Sequence, residues 1–160
     1  MNKREGAPGA VQLPMAQLSP LLLACLAEGQ EVVLAVTGNS MAPFLRHGRD
    51  QVVLAACDGA VLGFGDVPLY RRDNGQYVLH RVVKRRQTAG SVRYTLLGDA
   101  QWEMEPEVTP EQVVACAVGF IRNGKRYSCT SPWYRARVRV WQWLLPVRRW
   151  LIAVYRRSWK

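Results

Sequence analysis

The stretch that decides the predicted fold is residues 76–97, QYVLHRVVKRRQTAGSVRYTLL. Two runs rich in β-branched residues flank a polar centre that contains Ala89-Gly90, which favours a β-hairpin with a two-residue turn. Carried along both strands, the register of that hairpin places His80 opposite Asp99. A carboxylate in that position could orient the imidazole and stabilise its protonated form.

The same pattern of short β-branched runs continues on both sides of the hairpin. Short β-branched runs occupy residues 31–36, 51–55, 68–71, 113–121 and 125–127, and Gly, Asp, Asn and Pro fill the gaps. Many short strands separated by turn signals predict a mainly β body, barrel-like or sandwich-like. Before it, residues 15–28 predict a short amphipathic helix ended by Gly29. We therefore divide the chain into an N-terminal segment, 1–30, a β domain, 31–130, and a C-terminal tail, 131–160.

The charge of the chain is concentrated in its tail. The 160 residues include 22 Lys+Arg and 12 Asp+Glu, for a formal net charge of +10, and residues 133–160 contain eight basic residues and no acid. The body is therefore nearly neutral, which excludes a protein that coats nucleic acid with its whole surface. The basic segment instead indicates an anionic partner for the tail.

Residues 133–160 predict a basic amphipathic helix, kinked at Pro146. A helical wheel places Val140, Leu144, Val147, Leu151 and Val154 on one face, and Arg135, Arg139, Gln142, Arg149 and Arg156 on the other. Because tryptophan rings favour the bilayer interface, we expect this helix to lie on an anionic membrane surface. The expected contacts are Trp141, Arg148, Arg149 and Trp150. Packing of the helix on the body is the alternative, and nucleic acid is a less favoured partner.

The cysteines indicate little about the function. Cys25, Cys57, Cys116 and Cys129 are widely spaced, without a C-x-x-C pair or a Cys/His cluster. We therefore expect reduced core thiols, no zinc site and no other cofactor. No apolar run reaches the roughly 18 residues that a membrane span requires.

A candidate nucleophile follows the first strand, in residues 37–43, TGNSMAP. The glycine lets the backbone approach a substrate closely, and a turn at this point would expose the Ser40 hydroxyl. Serine is a weak nucleophile without an adjacent base. The segment by itself therefore indicates no more than a turn.

Four short segments together resemble a known family. Residues 38–45, GNSMAPFL, followed by Gly48, resemble the nucleophile box of S26 type I signal peptidases and of the related S24 self-cleaving repressors. The other boxes are similar to GDVPLY at 65–70, LHRVV at 79–83 and LGDA at 97–100. They occur in the family's order, and residues 112–125 resemble its closing strand region.

The resemblance implies the mainly β signal-peptidase barrel of the S24/S26 superfamily for residues 31–130. It also implies a serine endopeptidase that cleaves a leader or signal segment from a peptide or protein. Ser40 would be the nucleophile, His80 the base in the place where most bacterial members carry lysine, and Asp99 the acid that orients His80.

Around the serine, we expect Gly38 and Asn39 to support the turn and the oxyanion hole, which would use the Ser40 backbone N–H. Met41 and Pro43 are the expected substrate contacts. Since no apolar segment before the serine is long enough for the family's membrane anchor, we expect peripheral membrane association, with the cytoplasmic face favoured.

Several alternatives stay open at this level. Lys84 could be the base if burial lowered its pKa, and Glu103 or Glu105 could be a second acid. An S24-type self-cleaving regulator is less consistent, because residues 1–39 contain no Ala-Gly or Cys-Gly pair. A non-catalytic module that binds membrane or nucleic acid on the same fold is the remaining alternative.

Overall fold

The structure is a computed structural model that describes residues 15–157, without the side chains of residues 15–18, 149 and 155–157. It is mainly β, as predicted, and its larger sheet curls into a half-barrel. The strands are β1 (Val32–Ala35), β2 (Asp50–Ala55), β3 (Pro68–Arg71), β4 (Tyr77–Leu79), β5 (Arg81–Thr88), β6 (Ser91–Leu97), β7 (Glu105–Val108), β8 (Val113–Arg122) and β9 (Lys125–Ser128). The helices are α1 (Met15–Ala27), α2 (Pro132–Trp143) and α3 (Arg148–Arg157).

The strands form two antiparallel sheets. The larger sheet has the order β1-β2-β8-β3-β4, with β9 also paired to β8, and the smaller sheet has the order β5-β6-β7. One apolar cluster fills the larger sheet beneath α1, and a second, around Tyr70, Val82 and Tyr94, lies between the sheets. The long strand β8 contributes to both clusters, through Ala115 and Cys116.

The decisive stretch, residues 76–97, is divided between the two sheets. Its first part is β4, which pairs with β3, and its second part is β5, which forms the predicted hairpin with β6. Thr88 pairs with Ser91, so the turn is where the sequence predicts it. His80 is the residue between β4 and β5, and it therefore lies at the junction of the sheets.

A β-bulge at Val83 changes the register of the hairpin beyond the turn. Below the bulge, Arg81 pairs with Leu97. A slip of one residue moves side chains to the opposite face of a strand. Asp99 consequently shares a face with Arg81, and the predicted opposition of His80 and Asp99 is wrong.

Helix α1 covers the open face of the larger sheet. Leu22 and Leu26, one turn apart, are buried in the first cluster, whereas Leu21 and Leu23 are exposed. The helix ends at Ala27, and Gly29 follows with a φ of 73°, the left-handed conformation that ends many helices. The predicted short helix and its stop at Gly29 are thus confirmed.

The tail forms two helices, α2 and α3, with the break between them around Pro146 as predicted. Its buried face is different from the predicted one: Val138, Gln142 and Ile152 pack inward. Gln142 was expected on the polar face. The side of the tail that the wheel marks as apolar is mostly exposed, including Val140 and Val154.

Two of the residues expected to contact a membrane turn toward the body instead. Trp141 donates from Nε1 to the Asp99 carbonyl, at 3.0 Å, and its ring lies against Phe44. Arg148 is only 1% exposed, because it stacks over the Trp141 ring and donates to the Trp141 carbonyl. Trp150 is 79% exposed, and the side chain of Arg149 lies outside the described residues.

The cysteines are not all core residues. Cys57 is exposed, Cys116 is buried on β8, and their sulfur atoms are 2.7 Å apart. The prediction of a reduced core thiol is therefore confirmed for Cys116, which is free and buried, and wrong for the exposed Cys57. Within residues 15–157, no helix combines the length and the apolar composition needed to cross a bilayer.

Candidate active site

His80 is buried at the sheet junction and makes two polar contacts through one ring nitrogen. Its Nδ1 atom lies 3.2 Å from Oε1 of Glu105 and 3.3 Å from the hydroxyl of Tyr70. His80 is 2% exposed, and within residues 15–157 its hydrogen bond and its ion-pair contact both involve Nδ1 and not Nε2. A carboxylate at Nδ1 favours the tautomer with the proton on Nδ1, so Nε2 keeps its lone pair.

Glu105 is held in place by two further donors. The Tyr70 hydroxyl donates to Oε2 at 2.6 Å, and the Arg72 guanidinium donates to both carboxylate oxygens, with 3.0 Å from Nε to Oε2. Burial tends to raise the pKa of Glu105, but the hydrogen bonds from Arg72 and Tyr70 outweigh it and lower that pKa. Glu105 therefore stays ionised beside the imidazole.

The environment keeps His80 itself neutral. Burial is the main cause that lowers the pKa of the imidazole, and the positive charge of Arg72 acts in the same direction. The Glu105 carboxylate opposes both but does not outweigh them. A neutral imidazole with a free Nε2 atom can accept a proton at neutral pH, as a general base must.

The Ser40 turn is fixed against the segment that follows β6. Gly38 adopts a φ of 74°, which starts the turn, and the Ser40 carbonyl accepts a 2.7 Å hydrogen bond from the Ala100 N–H. Gly98 must stay small, since a Cβ atom there would lie 2.8 Å from the Ser40 carbonyl oxygen. The backbone N–H of Ser40 donates to no group among residues 15–157 and is free for an oxyanion.

A cluster of buried charge holds the far end of the same turn. Asp50 is 3% exposed and accepts hydrogen bonds from Arg49 and Arg122. Arg122 also donates to the Phe44 carbonyl at 2.8 Å, and Arg49 donates to the Pro43 carbonyl at 3.2 Å. The turn that carries Ser40 is thus anchored on both sides, which is the preorganisation that a nucleophile needs.

Ser40 and His80 line one cleft, with a volume of about 270 Å³. Its walls are largely apolar and include Leu34, Val36, Met41, Leu54, Leu69 and Leu79. A larger cleft of about 810 Å³, lined by residues 100–108 and parts of β3 and the turn after it, adjoins the first one. Arg72 and Gln101 line both. The two clefts therefore share a wall, and Ser40 lines the smaller of them.

Asp99 has a different role from the predicted one. Arg81 donates three hydrogen bonds to its carboxylate, the shortest at 2.5 Å, and both side chains are completely buried. The same guanidinium donates to the Gly65 carbonyl and to the Tyr134 hydroxyl. Asp99 therefore anchors Arg81, and through it the tail, whereas Glu105 takes the place beside His80.

Other predicted site residues are distributed as follows. Gly38 and Met41 line the cleft of Ser40, but Asn39 and Pro43 do not. Asn39 supports the turn, because its Oδ1 atom accepts from the His47 N–H. Arg49 donates to the Pro43 carbonyl at 3.2 Å, and the role of Pro43 as a substrate contact stays a prediction.

Lys84, the rival base, is exposed on β5 outside the cleft of Ser40. It therefore lacks the burial that the hypothesis required. Within residues 15–157, no three His, Cys, Asp or Glu side chains come together as a metal site.

Sequence reasoning missed two residues of the site and anticipated a third only as an alternative. Tyr70 and Arg72 are not in the predicted set, and Glu105 appears there as a possible second acid. A signal for the first two exists, because residues two apart along a strand project to the same face and β3 pairs with the strand that precedes His80. Nothing local distinguishes Glu105 from Glu103.

The chain matches no known protein-family model, and no curated protein is found to be similar to it. The structure brings three groups together. A serine hydroxyl and a neutral imidazole share a cleft, and a fixed carboxylate stands behind the imidazole. This is the set of groups that nucleophilic serine chemistry requires.

Proposed function

We propose that this protein is a serine endopeptidase, similar to type I signal peptidases, that cleaves a leader or signal segment from a peptide or protein. The observation that carries the proposal is the shared cleft of Ser40 and His80, with Glu105 on the Nδ1 atom of His80. The four sequence boxes support it, since three of them supply Ser40, Tyr70 and His80. The mainly β fold is consistent with the signal-peptidase barrel of that superfamily.

In the proposed reaction, His80 Nε2 takes the proton of the Ser40 hydroxyl as the oxygen attacks the scissile carbonyl. Glu105 stabilises the imidazolium that forms. His80 then gives the proton to the leaving amine, and an acyl-enzyme on Ser40 remains. Water, deprotonated by the same imidazole, hydrolyses the ester and restores the enzyme.

The Ser40 N–H would stabilise the oxyanion of each tetrahedral intermediate. The apolar walls of the 270 Å³ cleft would accept small or apolar substrate side chains next to the bond that is cut. The chain would supply all of these groups itself, without a metal ion or another cofactor.

The test is to digest a defined peptide library with the full chain and to identify new termini by mass spectrometry. We expect cleavage by the wild type and its loss in Ser40→Ala and in His80→Gln. Ser131→Ala is the matched control, because this serine precedes α2 without a side-chain cap hydrogen bond. It should cleave as the wild type does.

Cleavage that persists in Ser40→Ala would reject Ser40 as the nucleophile. If the chain leaves every library peptide intact and instead cleaves itself during incubation at alkaline pH, its intact mass will decrease. That result would favour the self-cleaving regulator. If neither occurs, the fold acts as a binding module.

A further inference from the structure

The exposed side of the tail is an apolar stripe that runs across both helices. Its members are Val140, Trp143, Val147, Trp150, Leu151 and Val154, which are between 40% and 84% exposed. Their positions follow the three- and four-residue spacing that keeps side chains on one side of a helix. The same spacing continues through residues 144–147 between α2 and α3, and we call these six exposed side chains the outer stripe.

The opposite side of the tail is fully used for packing on the body. Val138 and Ile152 are buried, and a Cβ atom on Gly65 would lie only 3.6 Å from Val138. Trp141 is tied to the Asp99 carbonyl. These contacts hold α2 against the body, with Val140 and Trp143 on its solvent-exposed side.

The charge around the outer stripe is positive. Arg135, Arg137 and Arg139 are exposed on α2, and none of them forms an ion pair within residues 15–157. A large exposed patch of apolar side chains marks a site of interaction with a protein or a membrane. Tryptophan and arginine together match the headgroup region of an anionic bilayer, where the rings are partly buried and the charges meet phosphate groups.

We propose that the outer stripe docks the protein onto an anionic lipid bilayer, with Trp143 and Trp150 inserted at the headgroup level. The docked side is opposite to the one on which α2 contacts Phe44 and the Asp99 segment, next to the Ser40 turn. The bilayer thus contacts the outer side of the tail helices, and the inner side of α2 contacts the body. The docking surface does not depend on whether Ser40 is a nucleophile.

The test is flotation of the full chain with vesicles of phosphatidylcholine containing about one-third phosphatidylglycerol, and with vesicles of phosphatidylcholine alone. We expect binding to the anionic vesicles and at least tenfold weaker binding to the neutral ones. The double variant Trp143→Ser, Trp150→Ser should lower the partition constant by roughly a hundredfold, since two large rings lose their burial. Both side chains are about four-fifths exposed, so the fold should not change.

Trp102→Ser is the matched control, because Trp102 is 62% exposed but lies outside the tail. It should bind vesicles as the wild type does. Equal binding to neutral and anionic vesicles, or unchanged binding of the double variant, would overturn the proposal. A dimer in light scattering that the double variant converts to a monomer would assign the outer stripe to a second copy instead.

A separate observation concerns Cys57 and Cys116. Their sulfur atoms are 2.7 Å apart, Cys57 is exposed, and no other described group comes between them. The hydrogen bond between the two thiols lowers the pKa of Cys57, which favours attack by the Cys57 thiolate. Cys57 follows β2 and Cys116 lies on β8, so a bond between them would close the chain over 59 positions.

We infer that these two residues form a disulfide when the protein meets a disulfide oxidant such as oxidised glutathione. The Cys57 thiolate attacks the glutathione disulfide and releases one glutathione thiolate. The Cys116 thiol then loses its proton, attacks the Cys57 sulfur and releases the second glutathione thiolate. The protein has lost two hydrogens, and one glutathione disulfide has become two thiols.

Peptide mapping by mass spectrometry after oxidation should show the peptides of Cys57 and Cys116 joined. The oxidised wild type should melt roughly 10 °C above the reduced one. Cys57→Ser should melt at the same temperature in both conditions, while Cys25→Ser should behave as the wild type. A stable mixed disulfide with glutathione on Cys57, or a link to Cys25 or Cys129, would contradict the pairing.

Discussion

At the scale of residues, the half-buried carboxylate of Glu105 and the fully buried carboxylate of Asp99 have different partners. Glu105 contacts His80 and is itself held by Tyr70 and Arg72. Asp99 is completely buried, and its carboxylate accepts hydrogen bonds from Arg81. Glu105 therefore contacts the imidazole of His80, whereas Asp99 stabilises the fold through Arg81.

Substitution of the two acids should separate these roles. Glu105→Gln should lower kcat/KM by roughly 10²–10⁴-fold, because an amide N–H can donate to Nδ1 and force the proton onto Nε2. Its unfolding free energy should change little by comparison. Asp99→Asn should instead lower the unfolding free energy by about 3–5 kcal/mol, since the Arg81 charge is left buried without its partner.

Urea denaturation and initial cleavage rates, measured on both variants, check this prediction. If Asp99→Asn is as stable as the wild type but inactive, Asp99 regains the orienting role. If Glu105→Gln keeps full activity, Glu105 has no part in the reaction.

In the proposed reaction, His80 sets how the cleavage rate depends on pH. A protonated imidazole cannot take the proton of Ser40, so activity falls as the pH drops through the pKa of His80. Since burial lowers that pKa, the midpoint of the acidic limb of kcat/KM should lie below 6.5. Arg72→Gln removes a positive charge that lowers the same pKa, so its midpoint should move to higher pH.

Arg71→Gln is the neighbouring control for this experiment, because Arg71 is exposed at the end of β3. Its midpoint should equal that of the wild type. A midpoint of Arg72→Gln at or below the wild-type value would show that Arg72 does not act on His80 electrostatically.

At the scale of elements, the site depends on how the Ser40 turn meets the segment after β6. The contact is between backbones, through Ala100 N–H and the Ser40 carbonyl, and Gly98 allows it by lacking a side chain. The position of Ser40 therefore depends on Gly98, a residue without a side chain.

Gly98→Ala should displace the Ser40 turn. The new Cβ atom would lie 2.8 Å from the Ser40 carbonyl and 2.5 Å from Oε1 of Gln101, both closer than packed atoms approach. We expect kcat/KM to fall by about 10²-fold, as small misplacements of catalytic groups do. Gly63→Ala is the control, since the nearest atom there is 3.8 Å away. Equal activities of the two variants, measured with one peptide substrate, would contradict this role of Gly98.

At the scale of the whole molecule, the tail is connected to the active-site region through buried polar and aromatic contacts. Tyr134 accepts from Arg81, and Phe44 packs against both Tyr134 and Trp141. Phe44 is part of the segment that follows Ser40. The tail is thus a structural part of the body on its inner side, and its outer side remains available.

Trp141→Phe tests this connection. The ring can still pack against Phe44, but the Asp99 carbonyl loses its donor, and an unsatisfied buried acceptor costs about 1–3 kcal/mol. We expect that decrease in the unfolding free energy, measured by urea denaturation. Trp143→Phe, at a position that is 84% exposed, should leave it unchanged. A similar decrease in both variants would indicate that the Asp99 contact is not what stabilises the tail.

Much of the fold follows from local patterns. Alternating β-branched runs and turn residues predict the mainly β body, Ala89-Gly90 predicts the hairpin turn, and Gly29 predicts the end of α1. All three are confirmed, because a strand, a tight turn and a helix stop depend on residues that are neighbours along the chain. The apolar spacing of the tail predicts one helix kinked at Pro146, and the structure has two helices with a break there.

The sequence by itself thus determined the class of fold and proposed Ser40 and His80 as the reacting pair. Only the tertiary structure decided which acid faces His80, because a single bulge at Val83 exchanges the faces of a strand and no local pattern marks it. The orientation of the tail was likewise decided only by the tertiary structure. Its helical wheel shows an apolar side and a basic side. Which side packs inward depends on the shape and polarity of the body beneath it, and the body selected Val138, Gln142 and Ile152.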